Sequence, residues 1–357
     1  MKKAHRSIWS LLAVFTLICF LLLHAGETAA SARAAMELAA SSVIPSLFPF
    51  CVLSNYLIES GIAARWQPLF PPARRFGLEE DVLTACLLGT LCGYPVGAVV
   101  LARQCRAGTV RPESVCRALA VSTHASPAFL IAVAGGTLLG SYTAGVLLLA
   151  VQLLSALLVF FLHRPEQPFS YHIPTACSSE TNAAAAFPTA VQTASLIMVQ
   201  IAGFIVLCSV MLELLHPLLA LLPGNGLAAA MLAGALEITN GLTAVSASSC
   251  SLRLKFLAAA ALTGWSGLCV HFQVLSFTLP LRIPAHRYLL DKTLQSFCAL
   301  LLALPCSLLL PSRSTAVSSV MLQTPPTDRL MLLWAALASF LFFYLLFQHG
   351  DSIMKEK

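Results

Sequence analysis

Charged residues are scarce in this sequence. Only 10% of its 357 residues carry a formal charge and 58% are apolar, whereas about 25% of the residues of a typical soluble protein are charged. A single water-exposed domain could not bury so many apolar side chains, so the composition excludes a soluble enzyme and predicts a membrane protein. The apolar stretches also lack the alternating polar residues of barrel strands, which excludes a porin and predicts an all-α, polytopic fold.

Motifs for cofactors and metals are also absent. The twelve cysteines include no CxxC pair and fall mostly inside apolar runs, which predicts free, buried thiols rather than disulfides or a zinc site. No GxxxxGK followed by Ser or Thr is present for binding ATP. We therefore expect no enzyme activity, no catalytic residue, no cofactor and no metal. The net charge of +6 is carried by loops, which indicates membrane orientation and no nucleic-acid partner.

Continuous apolar runs predict the membrane crossings. A crossing near residues 39–60 contains Pro45 and Pro49. The run Ile8–Leu23 follows three basic residues and is either a cleaved signal peptide or a retained helix. The clearest crossings lie near residues 117–139, 141–162, 188–214, 256–280, 288–310 and 329–348.

Two shorter apolar pieces, residues 82–102 and 227–247, contain glycine with proline or asparagine near their centres. Broken backbone is tolerated at membrane depth only inside protein or beside a water-filled cavity. If residues 82–102 crossed the membrane, the arginine-rich loops before and after them would face opposite sides, against the positive-inside rule. We therefore interpret both pieces as re-entrant hairpins. About eight crossings then remain, both termini are cytoplasmic, and the Lys and Arg residues left outside are Arg33, Arg253, Lys255, Arg313 and Arg329.

With this topology each half of the chain consists of a crossing, a hairpin, a broken crossing and a crossing. An odd number of crossings makes the second half enter the membrane upside down, which is the inverted repeat typical of transporters. Short similarities support two repeats: Gly89-Thr90-Leu91 corresponds to Gly234-Ala235-Leu236, and Thr123-His124-Ala125-Ser126 to Thr263-Gly264-Trp265-Ser266.

The chain is accordingly divided into five predicted parts. They are an N-terminal anchor or signal segment with an amphipathic stretch (1–38), a first repeat (39–162), a cytoplasmic linker (163–187), a second repeat (188–310), and a polar connection with a last transmembrane helix (311–357).

Glu237 lies at the centre of the apolar run Met231–Val245. A buried carboxylate there costs several kcal/mol unless it is paired or neutralised, so its presence needs a reason. One interpretation is a ligand for a substrate or a coupling proton. The other is a structural staple that accepts backbone N–H groups from Thr239, Asn240 and Gly241 in the broken turn. The two roles are compatible.

Other interruptions supply further polar groups. In the first hairpin, Gly93-Tyr94-Pro95 makes a tight reversal whose N–H groups and phenol hydroxyl can face a ligand, although a hairpin turn needs glycine and proline in any case.

In the first broken crossing, Pro127 removes the amide that would serve the carbonyl of Thr123. The result is either a ligand cradle or a plain proline kink satisfied by local hydroxyls. The complete predicted site is Gly93, Tyr94, Pro95, Thr123, His124, Ser126, Glu237, Thr239, Asn240, Ser266 and Gln273.

Four motifs in a fixed order carry a resemblance to a known family. They are Pro45-Ser46-Leu47-Phe48-Pro49-Phe50, the hairpin 89–98, Ser126-Pro127-Ala128-Phe129, and the stretch 236–241. Together they resemble the sporulation integral membrane protein YlbJ family, over roughly residues 40 to 305. One departure is His124, which stands where asparagine is expected before the Ser-Pro turn.

The resemblance implies nucleoside-recognition (Gate) domains, a module also found in nucleoside and iron(II) transporters. It further implies a multi-pass inner-membrane protein of a spore-forming bacterium, linked to spore cortex formation. We therefore expect a transporter that moves an unidentified small polar solute or ion by alternating access. The alternative is a non-transporting membrane scaffold for spore-envelope assembly, with other sporulation membrane proteins as partners. The lipid bilayer is the remaining expected partner.

Overall fold

The computed structural model describes residues 11, 14–15, 17–60, 78–79, 81–162, 183–219, 221–222, 226–281 and 283–311. The secondary structure in these ranges is entirely helical, as the sequence predicts. The first half contains α1 (Ala25–Leu38), α2 (Ile44–Glu59), α3 (Asp81–Cys92), α4 (Val96–Arg106), α5 (Pro112–Ser122), the π-helical α6 (Phe129–Leu138) and α7 (Tyr142–Leu162). The second half contains α8 (Ala183–Leu219), α9 (Leu227–Leu236), α10 (Ile238–Ala247), α11 (Leu252–Trp265), α12 (Leu268–Thr278) and α13 (Ala285–Ser307).

Within the described ranges, four helical segments are long and apolar enough to cross a membrane. They are Tyr142–Leu162, Ala186–Pro217, Leu252–Leu281 and Ala285–Ser307, each of which overlaps a predicted crossing. Helix α8 begins at Ala183, inside the predicted linker 163–187. The predicted crossing 329–348 and all of the polar connection 311–328 after its first residue lie outside the described residues, and only parts of Ile8–Leu23 lie within them.

Residues 82–102 fold into a helical hairpin, as their glycine and proline pattern predicts. Helix α3 ends at Cys92, the chain reverses through residues 93–95, and α4 runs back beside α3. The two outer ends meet, because Gln104 Nε2 donates to the backbone oxygen of Asp81 at 2.8 Å. The loop beyond α4 is held to the same end by Arg111 Nε and Glu79 Oε1, 2.6 Å apart.

Three further interruptions occur at the positions that the sequence indicates. Helices α9 and α10 pack together as a second hairpin, broken at Glu237, whose backbone is extended (φ −139°, ψ 117°). The predicted crossing 117–139 is divided into α5 and α6 by residues 123–128. The predicted crossing 256–280 is interrupted between α11 and α12 by Ser266 and Gly267, which have φ values of 77° and 85°.

The order of elements is the same in both halves. A helix (α2 or α8) is followed by a hairpin (α3–α4 or α9–α10), a broken helix (α5–α6 or α11–α12) and a long unbroken helix (α7 or α13). The halves share one apolar core, since α13 packs against α5, α7 and α11, and α12 packs against α4.

Two basic residues predicted on the outer face cap helix C-termini. Arg253 Nε donates to the backbone oxygen of Leu310, just beyond α13, at 2.9 Å. Lys255 Nζ donates to the backbone oxygen of Ser246, in the last turn of α10, at 2.6 Å. Cations bind the carbonyls of helix C-termini favourably, which gives both side chains a structural reason to lie there.

Both hairpins depend on backbone contacts that exclude a side chain. A Cβ atom added at Gly97 would lie 2.1 Å from the backbone oxygen of Ser122 on α5. In the second hairpin, a Cβ atom added at Gly241 would lie 2.0 Å from the Cα atom of Gly234. Close helix packing of this kind in membranes requires small residues.

We expect Gly97→Ala to lower the free energy of unfolding by at least about 2 kcal/mol, because the backbone of α5 would have to move. Gly203→Ala is the matched control, since no heavy atom lies within 4 Å of a Cβ atom added on that face of α8. Thermal unfolding of both purified variants in detergent measures the difference. Equal stability of the two variants would contradict the close contact between α4 and α5.

Candidate functional site

A cavity of about 300 Å³ lies where interruptions from both halves meet. The first hairpin turn, the α5–α6 break and the α9–α10 break border it, with α1, α2, α6, α8, α10 and α12 completing the wall. Six of the predicted site residues line this cavity: Gly93, Tyr94, Ser126, Glu237, Thr239 and Gln273. The structure therefore brings together residues as far apart in the sequence as Gly93 and Gln273.

Glu237 is the structural staple that the sequence suggests, and it also lines the cavity. Its carboxylate caps the N-terminus of α10, with Oε1 accepting from the amide of Thr239 at 3.1 Å and Oε2 from the amide of Asn240 at 2.7 Å. The amide of Gly241 instead donates to the backbone oxygen of Glu237, at 3.1 Å. The side chain also lines the cavity, although the residue is only 2% exposed. A carboxylate at a helix N-terminus is stabilised by the free amides and the helix dipole.

The turn of the first hairpin contacts the break in the neighbouring helix. The amide of Tyr94 donates to the backbone oxygen of His124 at 2.9 Å. Gly93 adopts φ 81°, and a Cβ atom added there would lie 2.7 Å from the backbone nitrogen of Ser126. The Tyr94–Pro95 peptide bond is cis. Peptide groups that hairpin and helix leave open thus bond each other.

His124, expected as a ligand, lies behind the cavity wall. It is fully buried, with Nε2 3.2 Å from Thr90 Oγ1 and Nδ1 3.1 Å from the backbone oxygen of Ala125. Both ring nitrogens are therefore used within the first half. The imidazole connects α3 to the α5–α6 break, which is a structural role.

The carbonyl of Thr123 loses its helical donor at Pro127, as predicted, and its new partner is a lysine. Lys292 Nζ on α13 donates to this oxygen at 2.6 Å and to Gln295 Oε1 at 2.7 Å. Lys292 is completely buried. Lys292 and Gln295 are not among the residues predicted from the sequence. A lysine inside the predicted crossing 288–310 is nevertheless expected to have a functional or structural partner.

A corresponding contact serves the second broken helix. The backbone oxygen of Thr263, near the end of α11, accepts from Gln152 Nε2 on α7 at 3.0 Å. It also accepts from Ser266 Oγ at 3.3 Å. The hydroxyls of Thr123 and Thr263 each donate to the backbone oxygen four residues earlier. In each half, therefore, the last helix provides a buried polar side chain to the break in the other half.

The remaining predicted residues support the site from outside the cavity lining. Ser266 is buried at the α11–α12 break, and Asn240 Nδ2 donates to Ser209 Oγ on α8 at 3.1 Å. Pro95 precedes the first residue of α4. Five predicted site residues thus do not line the cavity: Pro95, Thr123, His124, Asn240 and Ser266.

The described part of the chain contains no group of three or more His, Cys, Asp or Glu residues placed to hold a metal ion. Its cysteines are all free. Comparison of the chain with models of protein families, with curated proteins and with solved structures finds no match. The function is therefore inferred from the residues and geometry of the site.

We expect Lys292→Met to lower the free energy of unfolding by about 1–3 kcal/mol, because it leaves the carbonyl of Thr123 and the amide oxygen of Gln295 without this donor. Arg33→Met, which changes an exposed cation on α1, is the control and should leave stability unchanged. Thermal unfolding in detergent measures both. A Lys292→Met protein as stable as the control would show that the buried lysine does not hold the break.

Proposed function

We propose that this chain is a membrane transporter that moves a small polar solute or ion by alternating access. The observation that carries the proposal is the cavity, in which the buried carboxylate of Glu237 lies among interruptions from both halves of the chain. Broken helices that meet around a polar site are the usual construction of a transport site at the membrane midplane. The four helices that are long and apolar enough to cross a membrane support a transmembrane location for this site.

We further propose that the two halves are inverted Gate-like repeats, with about eight crossings and two re-entrant hairpins. The identical order of elements supports this proposal. So do the reciprocal contacts, in which Lys292 of the second half serves Thr123 and Gln152 of the first half serves Thr263. Two repeats related by a two-fold axis would exchange contacts in this way.

Membership of the sporulation YlbJ family is also a proposal, supported by the motifs of both hairpins and the Ser126-Pro127 turn. It places the protein in the inner membrane of a spore-forming bacterium, with both termini cytoplasmic and a role linked to spore cortex formation. A non-transporting scaffold would need Glu237 only as the cap of α10, whereas a transporter would also need its charge at the cavity, so solute flux separates the two functions.

In liposomes, we expect Glu237→Gln to reduce solute flux by at least about tenfold, because the cavity loses its charge, while the protein stays inserted. Purified protein is tested with radiolabelled nucleosides, amino acids and amines. Glu113→Gln is the control, since this exposed acid lies at the end of α5 away from the break. No flux above protein-free liposomes would favour the scaffold, whereas equal flux through both variants would contradict the role of Glu237 in transport.

The re-entrant topology predicts which engineered cysteines react from the cytoplasm. Cysteines at Arg74 and at the exposed Ala107 should react with an impermeant maleimide from the cytoplasmic side, because α3 and α4 enter and leave on one face. A cysteine at the exposed Ser249 should react only from the opposite side. Labelling is measured above the background of the native cysteines. Opposite sidedness of positions 74 and 107 would contradict the hairpin.

A further inference from the structure

Several polar groups that face the cavity present hydrogen-bond acceptors. The hydroxyl of Thr243 donates to the backbone oxygen of Thr239 at 2.8 Å. The hydroxyl of Thr137 donates to the backbone oxygen of Ala132 at 3.2 Å. A hydroxyl that has given its hydrogen to its own helix presents only lone pairs to a ligand. Gln273 donates one of its two amide hydrogens to Cys269 Sγ at 3.4 Å, and its amide oxygen is a further acceptor.

The charge around the cavity also favours a cation over an anion. Among the described residues, Glu237 is the charged side chain of the lining, and no Lys, Arg or His belongs to it. A helix N-terminus ordinarily attracts anions through its free amides. At α10, however, Glu237 itself already occupies the amides of Thr239 and Asn240. An anion would therefore meet a carboxylate and find no positive partner.

Most of the remaining wall is apolar and comes mainly from α6, α8 and the stretch 38–47. A wall of this kind binds the body of a ligand by excluding water, while a few polar groups fix its orientation. The low-dielectric surroundings also strengthen the attraction between the carboxylate and a cation. The apolar side chains that form this wall include Phe129, Val133, Leu138, Ile201, Ile205 and Val270.

We infer that the cavity binds a small organic ammonium ion, with its charged nitrogen at Glu237 and its apolar body against α6 and α8. Hydroxyl and amide oxygens of the lining can accept the remaining hydrogen bonds of the ammonium group. This inference rests on the proposed function where it names the class of solute transported. Binding alone does not require transport, so the two can be tested separately.

The test uses three probes with one rigid hydrocarbon cage and different charges: adamantylammonium, adamantanol and adamantanecarboxylate. Equilibrium binding is measured on the full-length protein in phosphatidylcholine nanodiscs at neutral pH, with empty nanodiscs subtracted. We expect the ammonium to bind at least about tenfold more tightly than the alcohol, and the carboxylate to bind most weakly. This comparison needs only the wild-type protein.

Two variants then test whether the carboxylate of Glu237 is the group that binds the ammonium. Glu237→Gln should weaken binding of the ammonium by at least about tenfold and leave binding of the alcohol unchanged, whereas Glu113→Gln should change neither. Equal binding of ammonium and alcohol to the wild-type protein would overturn the inference, as would tighter binding of the carboxylate. Ammonium selectivity that survives Glu237→Gln would also overturn it. If that variant does not fold, the selectivity of the wild-type protein decides.

Transport of the same probes distinguishes this inference from the proposed function. Selective ammonium binding without flux through liposomes would support the cation site and refute transport. Flux of another solute that adamantylammonium does not inhibit would support transport and refute the cation site.

Discussion

Peptide groups released at each helix break must find hydrogen-bond partners inside the protein, because lipid offers none. This requirement organises the centre of the molecule. Lys292 takes the carbonyl of Thr123, Gln152 takes that of Thr263, and Glu237 takes two amides of α10. Two of these three contacts join one half of the chain to the other. The bonds that make the breaks tolerable therefore also fix the halves around the cavity.

Glu237 caps a helix and lines the cavity with the same side chain. Capping α10 stabilises the broken turn, and the same cap holds a carboxylate at the cavity wall. Because the cap consumes the amides of Thr239 and Asn240, the half-helix no longer presents an anion site. In transporters, the N-terminus of a half-helix commonly binds an anionic group. Here the same position presents a carboxylate to the cavity.

The two corresponding breaks differ in charge. An ammonium serves Thr123, whereas a neutral amide serves Thr263. An amide needs far less desolvation than a charged group, so Gln152 is the cheaper donor in a buried position. Lys292 recovers part of that cost from a second oxygen, on Gln295, one helical turn away. Two halves with one order of elements therefore support their broken helices with different side chains.

Local sequence determined the helical class, both hairpins and the four interruptions, because glycine, proline and apolar run length act on the chain next to them. It also indicated that the carbonyl of Thr123 would lose its donor, and six of the eleven predicted site residues line the cavity. The identity of each partner was not visible, since Lys292 lies 169 residues from Thr123 and Gln152 lies 111 residues from Thr263. For the same reason the sequence did not indicate that His124 contacts Thr90 instead of the cavity. Which polar groups face the cavity and which face each other depends on how helices pack across the two halves, and only the tertiary structure decided that.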